Sequence, residues 1–259
     1  MSKNKASAII FNGAKKPLTE KIFSLPEKIN QQEAIVKISL STICGSDVHT
    51  WLGHRPFPTP AILGHEMVGK IVKLGKNLKY DFNGKKLSVG DRITWSMTAS
   101  CRNCFFCNKD LPQKCVNLFK YGHTKSIGSM GLTGGFANFI HIRKGSFIFK
   151  VPNELSDEEV SPLMCAGATV TNGLDEANFS KCNYVVVQGS GALGLYACAF
   201  SKKLGAKKII VIDVDTKRLS LAKEFGADYM INAKKEKNIV KKIFKLTKGI
   251  GADYVIEVT

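Results

Sequence analysis

A chain of 259 residues with 44% hydrophobic and 23% charged residues has the make-up of an ordinary soluble globular protein, and is long enough for two domains. Its formal charge of +17 raises the question of nucleic acid, but the lysines are scattered in pairs such as Lys15–Lys16, Lys85–Lys86 and Lys207–Lys208, with no interleaved aromatic platform for bases. The charge therefore reads as a solvated surface that would tolerate an anionic substrate, with no specific nucleic acid as partner.

The apolar stretch Ala8–Phe11 after the basic start is too short for a signal-peptide core, and no later run is long enough to cross a bilayer. A cytoplasmic location and no membrane partner are expected. Up to about residue 150 the sequence reads as short strands separated by turns: Glu33–Leu40, Met67–Leu74, Asp91–Trp95, Gly135–Ile142 and Phe147–Val151. That rhythm predicts a small, mostly antiparallel β domain. Beyond it the pattern alternates. Strands are predicted at Asn183–Ser190, Lys208–Asp213, Ala227–Asn232 and Ala252–Val258, with helices at Gly191–Leu204, Asp215–Phe225 and Lys235–Thr247. Continuous apolar strands spaced by helices describe a doubly wound parallel sheet, so the fold class is α/β plus β. The division is expected at 1–152 and 153–259.

The first strand of the second half runs into GSGALG, which places Gly189, Gly191 and Gly194 in a G-x-G-x-x-G turn. Alone the motif is weak, but here it follows a strand, opens a helix and leads to Asp213 at the tip of the next strand. The glycines permit close approach of a pyrophosphate to the helix N-terminus. Asp213 would accept hydrogen bonds from a ribose and repel a 2′-phosphate, which favours NAD over NADP. Leu193 and Arg218 complete the expected cofactor-binding set.

Two metal constellations stand out. Cys101, Cys104, Cys107 and Cys115 occupy a single fifteen-residue loop, CRNCFFCNKDLPQKC. Four thiolates close a tetrahedral zinc site and leave no open position, so this metal would pin a loop and do no chemistry. Four free thiols, a redox cluster and an iron–sulfur cluster are the alternatives. The other candidates are dispersed: Cys44, Ser46, Asp47 and His49 in TICGSDVH, His65 and Glu66 in ILGHEMVG, and Cys165 in LMCAGATVT. Taken singly, each reads equally well as a packed cysteine, a satisfied histidine or a surface carboxylate.

Taken together, CGSDVH, GHEMVGKIVKLG, VGDRI, the four-cysteine loop and GSGALGLYA, in that order, resemble the zinc-dependent medium-chain alcohol dehydrogenases from the N-terminus to Thr259. The resemblance implies a GroES-like catalytic domain followed by a partial Rossmann domain. It makes Cys44, His65 and Cys165 the ligands of a catalytic zinc, with Glu66 beside His65 and Asp47 steadying a ligand histidine. Ser46 and His49 match the family's proton relay. Two Zn2+ per chain and NAD are the implied cofactors, and hydride transfer between an alcohol and NAD the implied reaction. Gly45 stands where some members carry an arginine directed at the pyrophosphate, although polyol and threonine dehydrogenases also have glycine there. Cys182, before the first strand of the second half, and Cys198, in the following helix, read as packing residues.

A finer similarity, in DLPQKCVNLFKYGH and CAGATVTNGL, is to the zinc-binding alcohol dehydrogenases associated with phosphonate catabolism. It implies a hydroxyalkyl phosphonate or its aldehyde as substrate. Full-length members continue past the strand that ends this sequence. A fragment is therefore expected, able to bind zinc but poor in NAD affinity and turnover, with homo-oligomers for the full-length form. Two competing readings are a zinc-free quinone reductase relative and a non-catalytic, zinc-stabilised binding module. The first lacks a reason for either ligand set.

Overall fold

The structure, a computed structural model, describes residues 4–126 and 131–259. It divides into two compact units, Met1–Cys165 and Ala166–Thr259. The sequence reading put the division at 152/153. Residues 153–165 group instead with the first unit, because α2 (Asp157–Val160) and the 3-10 turn Ser161–Met164 pack there: Val160 lies against Val68 and Val151, and Met164 enters the main β core.

The first unit opens with an antiparallel hairpin, β1 (Lys5–Ile10) and β2 (Thr19–Ser24). Ala6, Ala8 and Ile10 alternate inward and pack with Phe23, Ile62 and Leu132. The main sheet contains β3 (Ala34–Thr42), β4 (Glu66–Leu74), β5 (Arg92–Ala99), β6 (Phe119–Lys120), β7 (Phe139–Ile142) and β8 (Ser146–Lys150). Its order is β6-β5-β4-β3-β7, with β8 also paired to β5, and every pairing is antiparallel. Val36, Met67, Ile71, Ile93, Trp95, Ile140 and Ile142 fill its core. The predicted run Gly135–Ile142 shortens to Phe139–Ile142, because the amides of Gly135 and Phe136 donate to the carbonyls of Gly64 and Leu63 in a loop instead of joining the ladder.

One pairing decides where the chemistry can sit. β3 and β4 run antiparallel in a register that sets Thr42 opposite Glu66, after irregularities between Ile35/Val36 and Ile38/Leu40. The end of β3 therefore meets the start of β4. Cys44, two residues beyond β3, and His65, one residue before β4, are delivered to the same end of the sheet. The turn Ser161–Met164 reaches that end as well, since Ser161 Oγ donates to the Glu66 carbonyl at 2.8 Å. Cys165 follows directly.

The second unit is a four-stranded parallel sheet, β11-β10-β9-β12, formed by β9 (Cys182–Gln188), β10 (Ala206–Asp213), β11 (Tyr229–Asn232) and β12 (Tyr254–Glu257). Val185, Val187, Ile209 and Val211 point to one face, under α3 (Ala166–Glu176), α4 (Ala192–Lys203) and α5 (Thr216–Glu224). Val186, Ile210, Ile212 and Ile231 point to the other, under Ile239, Ile243 and Leu246 of α6 (Ile239–Leu246). Both faces are covered, which is why these strands are apolar throughout and not alternating. Cys198 is fully buried in α4, and Cys182 is the first residue of β9, paired with Ala206, not a residue preceding the strand. Among the described residues no helix is long and apolar enough to cross a membrane.

Candidate metal and dinucleotide sites

Cys44 is the N-cap of α1 (Gly45–Leu52), a helix opened by Asp47. One oxygen of that carboxylate, Oδ2, accepts from the Cys44 amide at 3.0 Å, closing the first turn. The other, Oδ1, accepts from the Gly64 amide at 3.2 Å and lies 3.5 Å from His65 Nδ1. At that distance the histidine contact is electrostatic and not a hydrogen bond, and Nδ1 has no hydrogen-bond partner among the described residues. Asp47 thus ties the segment carrying Cys44 to the segment carrying His65.

Ligand atoms of Cys44, His65, Glu66 and Cys165 all lie within 4.8 Å of one another. The two sulfurs are 3.9 Å apart, close to the ~3.8 Å edge of a tetrahedron with zinc–sulfur bonds of about 2.3 Å. Among themselves these groups settle into unlike charges. The Cys165 thiol and the His65 ring hold the Cys44 thiol down at about 3, and the Cys165 thiol is pushed up in turn. Burial would lower the His65 imidazole, but Asp47 and Cys44 outweigh it and hold it at about 9. Burial lifts the Glu66 carboxyl above its usual range despite a 2.6 Å hydrogen bond from Thr42 Oγ1. Two soft sulfurs, an imidazole and a carboxyl in this spacing fit zinc.

Ser46 Oγ stands 3.4 Å from His65 Nε2. His49, further along α1, is exposed and pairs Nδ1 to Nδ1 with His54 at 3.1 Å. Ser46 therefore lies at the ligand cluster, and His49 at the solvent side of the same helix.

A histidine that the sequence reading left without a role also belongs here. The His123 ring lies 4.9 Å from that of His65 and 5.6 Å from that of Phe57. Burial, with the charges of His65 and Arg55, pushes its imidazole below the ordinary range. Only the KYGH motif hinted at it, and nothing local in that motif says which residue it faces.

The four-cysteine loop forms a second cluster. Its sulfur separations of 4.0 Å for Cys101–Cys107, 3.5 Å for Cys104–Cys107 and 3.4 Å for Cys101–Cys115 again suit one tetrahedral ion. Backbone amides of Cys107 and Val116 hold the Cys104 thiol down at about 6, and the Cys101 amide does the same for Cys115, donating to its sulfur at 3.2 Å. Left-handed backbone at Arg102 and Asp110 folds the loop tightly. The Arg102 guanidinium stacks 3.8 Å over the Phe147 ring and donates to the Gly145 carbonyl, which fixes the loop to β8.

In the second unit the glycine turn joins β9 to α4. Gly189 has φ +97°, and a side chain on Gly194 would overlap the Gly189 carbonyl oxygen, so the first and third glycines are required by conformation and by contact. Gly191 is the N-cap of α4. Asp213 closes β10, where its Oδ2 accepts from Ser190 N and Oγ at 2.6 and 2.9 Å and its Oδ1 accepts from the Asp215 amide at 2.9 Å. Burial opposes ionisation there, but these bonds outweigh it and hold the carboxyl below its usual range. Leu193 packs into the helical face of the core, whereas Arg218 is exposed in the first turn of α5.

Comparison with known proteins agrees with this architecture. The family described as alcohol dehydrogenase GroES-like domain matches residues 30–153, and the family described as zinc-binding dehydrogenase matches residues 192–259. The chain is 33% identical to D-arabitol-phosphate dehydrogenase of Enterococcus avium over 240 residues, covering 90% of this chain and 63% of that protein. It is 35% identical to sorbitol dehydrogenase of Halalkalibacterium halodurans, covering 86% of this chain and 61% of the other. An alcohol dehydrogenase of Geobacillus stearothermophilus is 31% identical, with 95% and 68% covered. Among solved structures, an alcohol dehydrogenase of Thermotoga maritima superposes with a TM-score of 0.91 at 34% identity, covering 98% of this chain and 71% of that one. The chain thus spans about three fifths of the length of the first two relatives. The sequence profiles, the relatives and the two-part fold place it in the zinc-type medium-chain alcohol dehydrogenase family.

Proposed function

We propose that the protein is an NAD-dependent zinc dehydrogenase that moves a hydride between the carbinol carbon of a small alcohol, polyol or hydroxyalkyl phosphonate and the cofactor. The observation that carries the reading is the convergence of Cys44, His65 and Cys165 with Glu66, a mixed donor set unlike the second cluster of four thiols. Cys44, His65 and Cys165 would hold the reactive ion, and Cys101, Cys104, Cys107 and Cys115 the structural one. When bound, zinc supplies Lewis-acid polarisation of an alcohol or carbonyl oxygen, and NAD supplies the hydride acceptor.

The chain's own residues do the rest. Asp47 orients His65 and keeps its imidazole facing the sulfurs. Ser46 Oγ, beside His65, would accept the proton of the substrate hydroxyl while passing its own hydrogen on, and His49, exposed on the same helix, would take up the relayed proton and release it to solvent. Glu66, buried beside His65, can offer its carboxylate to the ion when no substrate does. Gly189, Gly191 and Gly194 shape the pyrophosphate seat at the start of α4, and Asp213 faces the adenosine ribose.

Metal analysis together with an NAD-linked screen of alcohols, polyols and hydroxyalkyl phosphonates tests the proposal. Two zinc ions per chain are expected. Cys44→Ser should keep one zinc and the fold but lose hydride transfer, whereas Cys104→Ser should destabilise the first unit broadly. One zinc per chain with no turnover would favour a zinc-stabilised binding module. Undiminished turnover in Cys44→Ser would remove the reactive centre from the account.

A further inference from the structure

The far end of α1 carries a pair of groups that the chemistry above uses only in part. Of the five histidines in the chain, His65 and His141 are buried and His123 is half-buried, so His49 and His54 alone stand exposed. The fold brings these two together. Gly53 ends α1 in left-handed backbone at φ +83°, and its amide donates to the Thr50 carbonyl at 3.1 Å. The His54 amide then donates back to the His49 carbonyl at 3.0 Å. These two bonds make a Schellman cap, which lays the residue after the glycine against the residue whose carbonyl it bonds. That side-chain contact is commonly apolar. Here it is two imidazoles, with ring centroids 5.4 Å apart and Nδ1 facing Nδ1 at 3.1 Å. The cap is braced as well, since the Lys15 amide donates to the Trp51 carbonyl at 2.8 Å.

The spacing of the two nitrogens is that of a chelate. Two imidazole nitrogens bound to one ion at about 2.0–2.1 Å stand about 2.9 Å apart at a right angle and about 3.3 Å apart at the tetrahedral angle. The observed 3.1 Å lies between these values. Among the described residues no third histidine, cysteine or carboxylate joins the pair, so water would fill the remaining positions. With no carboxylate and a formal chain charge of +17, nothing here attracts Mg2+ or Ca2+, which take oxygen ligands. Paired imidazoles suit Zn2+, Ni2+ and Cu2+.

We propose that His49 and His54 form a two-point surface site for a divalent transition-metal ion, and that an ion held there closes the proton exit at His49. With Nδ1 on the ion and its one hydrogen on Nε2, the His49 ring has no lone pair left to take up a relayed proton. Binding of the ion is independent of the dehydrogenase reading, whereas closure of the exit rests on it.

Equilibrium dialysis of the zinc-loaded chain against rising free Zn2+ counts the ions without any need for turnover. One zinc more than the chain holds at low free zinc should bind, and should leave again when free zinc is lowered. His49→Ala and His54→Ala should each weaken that ion by about tenfold or more, because one imidazole is left to bind alone. His54→Asp, which restores a donor at the same place, should recover part of the affinity, and unchanged zinc content at low free zinc controls for misfolding in every variant. In NAD-linked assays, saturating the added site should slow the parent by about tenfold or more, and the same free zinc should leave the rate of His54→Ala unchanged. No added zinc, or an added zinc indifferent to both alanine substitutions, overturns the site. Binding that leaves the parent's turnover unchanged overturns the closure. If the added zinc binds but no alcohol is turned over at any zinc concentration, the dehydrogenase reading fails and the closure with it, while the chelate stands.

Discussion

Asp47 shows how much one carboxylate can organise. Its two oxygens serve the helix start that carries Cys44 and the loop that carries His65, so the ligands are positioned together or not at all. A second buried acid–base pair, Glu33 and His141, does comparable work away from the metal cluster, with Oε2 and Nε2 2.9 Å apart. Burial raises the Glu33 carboxyl, but hydrogen bonds with Asn30 and His141 outweigh it and leave it below its ordinary value, while burial leaves the His141 imidazole below its own. Both groups are thus harder to protonate folded than unfolded. Their stabilisation is complete above about pH 6.5, declines as the pH falls through the range in which unfolded histidine binds a proton, and declines again below about pH 4.5. Denaturant midpoints measured between pH 7.5 and 4.5 should therefore fall with acid, and His141→Gln should flatten the part of that fall between pH 6.5 and 5. A variant with the parent's slope would take His141 out of the acid response.

At the scale of elements, the legibility of the site follows how far apart its parts lie. The four cysteines of Cys101–Cys115 sit in one loop, where spacing alone implies a closed tetrahedron, and the structure brings their sulfurs together. The glycine turn and Asp213 were legible for a similar reason, since a parallel strand–helix–strand unit is local and its apolar runs are continuous. Cys44, His65 and Cys165 meet only through the β3–β4 register and the docking of Ser161–Met164 on Glu66, neither of which has a local signature. Family resemblance, not spacing, pointed to them. The same limit hid the first hairpin, where β2 buries only Phe23, and α3, whose threonines and Gly173 are poor helix formers. It hid His123 as well, because its place depends on the contact between Gly64 and Gly122. Gly122→Ala isolates that contact. The left-handed backbone and the overlap with the Gly64 carbonyl should together cost about 2–4 kcal/mol. Gly84→Ala, at φ +78° with nothing within 4 Å, should cost only the backbone share of about 1 kcal/mol. Equal losses at the two positions, read from denaturant midpoints, would mean that the loops do not rely on close packing.

At the scale of the whole molecule, each unit has a core of its own. Val36, Met67, Ile93 and Trp95 centre the first, and Val185, Val187, Ile209 and Val211 the second. The two implied zinc ions would belong entirely to the first, since all seven cysteine and histidine ligands lie at or before Cys165. Metal bound there would therefore be coupled to the folding of that unit. The sequence supplies a selective probe, because both tryptophans, Trp51 and Trp95, are in the first unit, and Trp95 is fully buried. Stripping zinc with a strong chelator should lower the midpoint of the tryptophan-fluorescence melt by on the order of 10 °C. Circular dichroism, which also reports the helices and parallel strands of the second unit, should keep a later transition that the chelator does not move. Loss of both signals at one chelator-sensitive midpoint would show that the units unfold as a single cooperative body, and that metal in the first supports the sheet of the second.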